Sequence, residues 1–272
     1  MLHRITIDGA PRDLDIRAMD EDFIAYRKMY VPPLTRENVG MILPHDDAPV
    51  MRHFKRRRYQ QVIEEFFRRQ IRAVGSCAVL AWEGDGVVGK MHFTTREMFA
   101  AFRRAGAWYC VDHESTPTTI LSLDEDEEAR LLASESRTLF VVCFNIGHMD
   151  ARYHGQGIAS AMLEYLKAWA RERGWRRIET HSCPDITPHR SIGSWMLRRS
   201  ALERRGFRVA EETRVPPHEA AARLRHIEAT MAGTATFHPW EAWWVENFDC
   251  LLAASPSWRD EYDRDYVMAC DL

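Results

Sequence analysis

The chain has 272 residues, 46% of them hydrophobic and 28% charged, and carries a formal net charge of −3. That length supports a domain with a substantial core, and the near-balanced charge argues against a general nucleic-acid or membrane-surface binder. Its six cysteines include no Cys-x-x-Cys pair and no Cys/His cluster of zinc spacing, so no metal site is expected and the thiols suit a reducing cytoplasm. The opening MLHRITIDGAPRD lacks the apolar stretch of a signal peptide, and the longest strongly apolar block, Leu139 to Phe144, is too short to span a bilayer.

Leu14 to Met19 alternates as a first strand, and Asp20-Glu21-Asp22 supplies the cap and acidic first turn of a helix to about Tyr30, stopped by Pro32-Pro33. A second helix is expected over roughly Arg52 to Ala73; the basic run Lys55 to Arg58 at its start reads as a solvated face. Cys77 to Trp82 and Val87 to Thr94 read as two strands joined by a tight hairpin at Gly84-Asp85-Gly86. The segment 96–137 is expected to be an insertion, with a helical piece near Arg96 to Arg104 and an acidic run from Asp124 to Glu128. Thr138 to Met149 is the next strand.

A short polar linker then leads to His154-Gly155-Gln156-Gly157-Ile158-Ala159. This glycine turn opens directly into an amphipathic helix, Ile158 to Arg173, with Ile158, Met162, Leu163, Leu166, Trp169 and Ala170 on one face and Gly174 as its terminator. A turn of this kind leaves backbone N–H groups unpaired at the positive end of the helix dipole, and such a place holds a phosphate or pyrophosphate without a basic side chain. Arg176 to Cys183 reads as a strand, Ile192 to Arg205 as a helix, Phe207 to Val215 as a strand and Pro216 to about Met231 as a helix with proline in its first turn. An aromatic segment follows, containing Phe237, Trp240, Trp243, Trp244, Phe248 and Trp258, before a last strand over Tyr266 to Cys270. The order is that of one mixed α/β domain over residues 1–272, with insertions at about 96–137 and 216–262.

The run GHMDARYHGQGIASAMLEYLKAWARERGWRRIETHS, followed by ALERRGF, resembles the GNAT superfamily of acyl-CoA-dependent N-acetyltransferases. The family's phosphate motif, Gln/Arg-x-x-Gly-x-Gly/Ala, falls on residues 154–159, with His154 at the first position in place of Gln or Arg. The resemblance implies a GNAT fold: a mixed sheet of about six or seven strands, flanking helices and a splay between two central strands. It implies that acetyl-CoA lies in the gap between the strand ending at Met149 and the strand 176–183. Backbone amides of Gln156, Gly157, Ile158 and Ala159 would bind its pyrophosphate in a cosubstrate site that includes His154 and Gly155, and main chain near Gly147–Met149, His148 among it, would pair with its pantetheine arm. No metal is implied. The partners are a small-molecule or peptide amine, with no nucleic acid and no membrane.

Family members often carry a Glu or His base at the positions of Cys143 and Asn145, and an acidic tyrosine at that of Leu202, so the customary proton-transfer groups are missing here. The candidates that replace them are His181 and Glu179 on the neighbouring strand, which share a face by alternation, with His148 and Asp150 at the end of the strand from Thr138; Asn145 belongs to the catalytic site without being a base for an ammonium. The tryptophans of the aromatic segment are open to lining an acceptor pocket, covering the sheet or forming a homodimer interface. Three functions stand: an acetyl-CoA-dependent N-acetyltransferase acting on a primary amine, a GNAT-fold module that binds acyl-CoA without turnover, and an enzyme of the same fold with a different acyl donor or acceptor.

Overall fold

The computed structural model describes residues 1–24, 34–35, 56–105, 119–120, 122–146, 151–187, 196–236 and 242–272. The strands are β1 (Leu2–Ile7), β2 (Ala10–Ala18), β3 (Leu34–Thr35), β4 (Ala78–Glu83), β5 (Gly86–Thr95), β6 (Thr138–Ile146), β7 (Arg177–Ser182), β8 (Arg208–Arg214) and β9 (Arg264–Asp271). They form one sheet in the order β1-β2-β4-β5-β6-β7-β9-β8, with β3 paired to β5. Nine described strands exceed the six or seven expected. Part of the excess is β1, which begins a hairpin with β2. Its turn, Asp8-Gly9, has both residues at positive φ (51° and 77°), the geometry that favours Asp-Gly between paired strands.

The helices are α1 (Arg56–Val74), α2 (Arg96–Arg104), α3 (Glu125–Ala133), α4 (Ile158–Glu172), α5 (Arg199–Glu203), α6 (Pro217–Met231), α7 (Ala242–Glu246), α8 (Phe248–Ala254) and α9 (Trp258–Glu261). Of the helix expected to follow Asp20, residues 21–22 form a turn, closed by the Asp22 N–H donating to Asp20 Oδ1, and residues 25–33 lie outside the described residues. The helix expected over Ile192 to Arg205 is short: only Arg199–Glu203 is helical among the described residues, and 188–195 lie outside them. The acidic run beginning at Asp124 forms a helix start. Asp124 caps α3 by accepting the Glu127 N–H at 2.7 Å, and buried Glu128 makes a bidentate pair with Arg69 of α1 at 2.7 and 2.9 Å.

Alternation along β5 assigns the two faces of the sheet. His92 meets Phe67 of α1, and the next residue, Phe93, meets Trp169 of α4, with ring centroids 5.1 and 5.4 Å apart. On the α1 side, Phe99 of α2 stacks on Phe140 of β6 at 3.8 Å. Helix α4 buries Ile158, Met162, Leu163, Leu166, Trp169 and Ala170, the face its 3.6-residue period predicts. It ends with Gly174 at φ 70°, the Trp175 N–H reaching the Ala170 carbonyl and the Gly174 N–H that of Arg171. A smaller core, separate from the main one, gathers Ile186, Ile227, Trp244, Phe248 and Trp258. Trp244 is fully buried there against His226 and Phe248, so it packs helices rather than lining a pocket; Phe237, Trp240 and the Trp243 side chain lie outside the described residues.

Gly89 of β5 lets the start of α4 approach the sheet. A Cβ at this position would lie 2.9 Å from Ala81 Cβ and 3.1 Å from both Ile158 Cγ2 and Met162 Sδ. A Gly89→Val substitution therefore forces the helix outward and is expected to destabilise the fold by about 1–3 kcal/mol, measured by denaturant unfolding.

Candidate active site

The central feature is the parting of β6 from β7, the only parallel neighbours among the described strands. Their register runs Thr138↔Arg177, Leu139↔Ile178, Phe140↔Glu179 and Val141↔Thr180, then stops, although β6 continues to Ile146 and β7 to Ser182. Two local features act there. The β5–β6 register shifts between His92↔Cys143 and Phe93↔Val141, leaving Val142 as the extra residue of a bulge, which bends and twists its strand. The Thr180 hydroxyl donates to the Val141 carbonyl at 3.1 Å and closes the ladder. Beyond this point the edge of β6 that faces β7 carries no strand partner among the described residues.

The glycine turn follows. Gly155 and Gly157 both adopt positive φ, 72° and 76°, which a residue with a Cβ takes up only with strain. Gly157 is the N-cap of α4 and offers no side chain to the helix. The first intrahelical bond is that of the Ala161 N–H to the Gly157 carbonyl, so the N–H groups of Ile158, Ala159 and Ser160 have no helical acceptor. His154 does not extend this row of donors. Its Nε2 lies 3.1 Å from the Ile146 carbonyl and ties the turn to the end of β6. His148 and Met149, expected near the pantetheine arm, lie outside the described residues.

Glu179, His181 and Asn145 come to the α1/α2 side of the sheet around the split. Glu179 is buried and its two oxygens are engaged by different guanidinium groups, Arg96 Nε and Arg177 Nε, each at 2.9 Å. Arg96 also pairs with Glu211 of β8 at 3.2 Å. A carboxylate held in this way links β7 to the start of α2. His181 lies edge-on to Phe99 and Phe140, centroids 5.4 and 5.0 Å away. Burial, with the charges of Arg103 and Arg96 adding to it, pushes its pKa down to about 4, so the ring is neutral in neutral solution.

Asn145 is buried, its Nδ2 is 3.8 Å from Cys143 Sγ, and its Oδ1 has no hydrogen-bond partner among the described residues. Next to it stand two residues that sequence reasoning passed over. In β5, Lys90 is the cross-strand partner of Asn145 and His92 that of Cys143; all four side chains are buried on one face. The signal was present in the sequence: Lys90, His92 and Thr94 alternate with Gly89, Met91 and Phe93, so one face of a deeply buried strand carries a polar stripe. Cys143 is a buried thiol beside it. Cys77 and Cys183 are fully buried elsewhere, and burial raises both thiol pKa values, that of Cys183 to about 12. Among the described residues no three His, Cys, Asp or Glu side chains group as metal ligands, and no helix is long and apolar enough to cross a membrane.

A mixed sheet parted at one parallel pair, with a glycine turn opening the crossing helix beside the gap, is the architecture of the GNAT fold. The family model described as the acetyltransferase (GNAT) family matches residues 46–190, more than half of the chain, and the protein belongs to that family. Similar solved structures include a mosquito arylalkylamine N-acetyltransferase like 5b (11% identity, 95% of this chain and 100% of that one, TM-score 0.40). Others are a GNAT-family acetyltransferase from Streptococcus pneumoniae (12%, 95% and 99%, 0.39) and a polyamine N-acetyltransferase from Drosophila melanogaster (14%, 74% and 86%, 0.38). No curated protein matches the chain.

The neutral His181 makes stability depend on pH. Unfolded, its imidazole takes a proton near pH 6.5; folded, only near about 4. Between these values the unfolded chain binds more protons, so stability falls as the pH drops through this window, by up to about 3 kcal/mol in total. A His181→Leu variant, which keeps the apolar packing, is expected to lose distinctly less melting temperature than the parent between about pH 7 and pH 5, followed by thermal unfolding.

Proposed function

We propose that the protein transfers an acetyl group from acetyl-CoA to a primary amine, by direct attack of the amine on the thioester while both substrates are bound. The observation that carries this reading is the meeting of two features at one place: the split between β6 and β7, and the glycine turn whose unpaired N–H groups open α4 beside it. The residues fit the cosubstrate. Backbone N–H groups of Gln156, Gly157, Ile158 and Ala159 hold the pyrophosphate. The edge of Val142 to Asn145, which has no strand partner among the described residues, pairs with the pantetheine arm, and the main chain near His148 and Met149 is assigned to the same arm. The bound cosubstrate supplies an acyl group activated as a thioester. Everything else falls to the chain, and holding amine and thioester in register is its largest contribution.

The acceptor enters from the α1/α2 side, where the polar stripe lies. Asn145 Oδ1 accepts an N–H of the incoming amine and orients its lone pair. His92 takes the proton released as the C–N bond forms and the C–S bond breaks, and the thiolate leaves to be protonated from solvent. His92 is assigned this role ahead of the two candidates on β7. Glu179 is tied into ion pairs, and His181, with its lowered pKa, holds a proton weakly. The whole chain acts as one unit with insertions at 96–137 and 216–262, and α2 of the first packs on β6 on the acceptor side.

Thiol release is the direct assay, run over a panel of small amines, polyamines, aminoglycosides and peptides with a free N-terminus. Acetyl-CoA-dependent release with one amine class establishes the transferase; tight binding without release on any acceptor identifies a binding module instead. Gly157→Val, which places a β-branched residue at φ 76°, is expected to abolish acetyl-CoA binding in calorimetry, and unchanged affinity would place the cosubstrate elsewhere. His92→Ala is expected to lower kcat by about a hundredfold with acetyl-CoA affinity unchanged, the loss that removal of a general base produces.

A further inference from the structure

The hairpin β1–β2 does more than extend the sheet: its first strand is fastened to the glycine turn. His3 Nε2 lies 3.1 Å from the Gln156 carbonyl oxygen, and the Thr6 N–H reaches Gln156 Oε1 at 3.4 Å. Asp8, in the hairpin turn, pairs with Arg152 at 3.0 Å, just ahead of the turn. The His3 ring also sits against Gly157, with Nε2 3.7 Å from where a Cβ would stand. A carbonyl oxygen only accepts, so the His3 nitrogen that faces it carries the hydrogen. In a trans peptide the C=O and N–H point in opposite directions. A Gln156 carbonyl held toward the hairpin therefore turns the Gly157 N–H away from it. The glycines on either side of Gln156 tolerate either orientation of this peptide, so the turn itself does not select one.

We infer that His3 is a positioning residue for the cosubstrate: its hydrogen bond holds the Gln156–Gly157 peptide in the orientation that presents the Gly157 N–H to the pyrophosphate. The inference rests on the reading of this turn as the acetyl-CoA site. It assigns a binding role to an N-terminal strand that precedes the residues matched by the family model. Removing the donor lets the peptide rotate, and ordering it again falls on ligand binding. Affinity then drops, while the geometry of the bound thioester, and with it the chemical step, is retained.

The experiment compares His3→Ala, His3→Phe and His3→Gln in the full-length protein. Acetyl-CoA affinity is measured by calorimetry, KM and kcat by thiol release, and ligand-free stability by thermal unfolding. His3→Ala and His3→Phe are expected to weaken acetyl-CoA binding and raise its KM about five- to tenfold, the effect of one lost hydrogen bond, with kcat within about twofold of the parent. His3→Gln, whose amide N–H reaches the same carbonyl, is expected to restore most of the affinity. Parental affinity in His3→Ala overturns the inference. So does a loss in His3→Gln equal to that in His3→Ala, or a fall in kcat as large as the rise in KM. A parent protein that binds no acetyl-CoA overturns the reading of the turn as well, which separates that failure from failure of the role given to His3.

Discussion

The structure turns on the point where β6 and β7 stop pairing. A parallel pair inside a sheet normally continues as long as both strands last, because an unpaired backbone edge within a domain leaves polar groups without partners. Here the ladder ends at Val141 and Thr180 with residues remaining on both strands. The bulge at Val142 bends β6 at the position where pairing ends, and the Thr180 side chain takes the last carbonyl in place of a backbone donor. A gap is built into the middle of the sheet in this way, and other elements gather around it.

Helix α4 is the main one. It crosses from β6 to β7, so its start lies at the open end of the gap, and Gly89 allows that start to sit directly on the sheet. Two left-handed glycines turn the chain sharply where α4 opens, and its first N–H groups have no acceptor among the described residues. The loop is held from outside at several points: His154 to the end of β6, and His3, Thr6 and Asp8 from the N-terminal hairpin. A loop with two glycines has little conformational preference of its own, and these contacts supply it.

The opposite face of the sheet carries several buried polar residues in different settings. Glu179 is held between Arg96 and Arg177, and Arg96 continues to Glu211 of β8, so this carboxylate links α2 to the far edge of the sheet. His181 fills an aromatic niche as a neutral ring. The buried stripe runs from Asn145, on the strand that borders the gap, to Lys90 and His92 one strand back, where nothing in the packing of an apolar core calls for it.

Periodicity alone determined most of the elements. The strand from Thr138, the helix from Ile158 to its end before Gly174, the helix from Pro217 to Met231 and the hairpin at Gly84-Asp85 all rest on local patterns, and local backbone preference decides such patterns. The glycine turn was legible for the same reason, since helix-terminal donors and glycine freedom are properties of neighbouring residues. Strand β1 carries a local signal too, Asp8-Gly9 between alternating segments. Tertiary structure alone decided the rest. Whether Glu179 is a base or an ion-pair partner depends on Arg96, far away in sequence. Whether His181 is charged depends on Phe99 and Phe140 burying it. That His92 stands beside Cys143, and His3 beside Gln156, follows from strand pairing and from the docking of the hairpin, because burial, charge and proximity are set by residues the chain brings together only on folding.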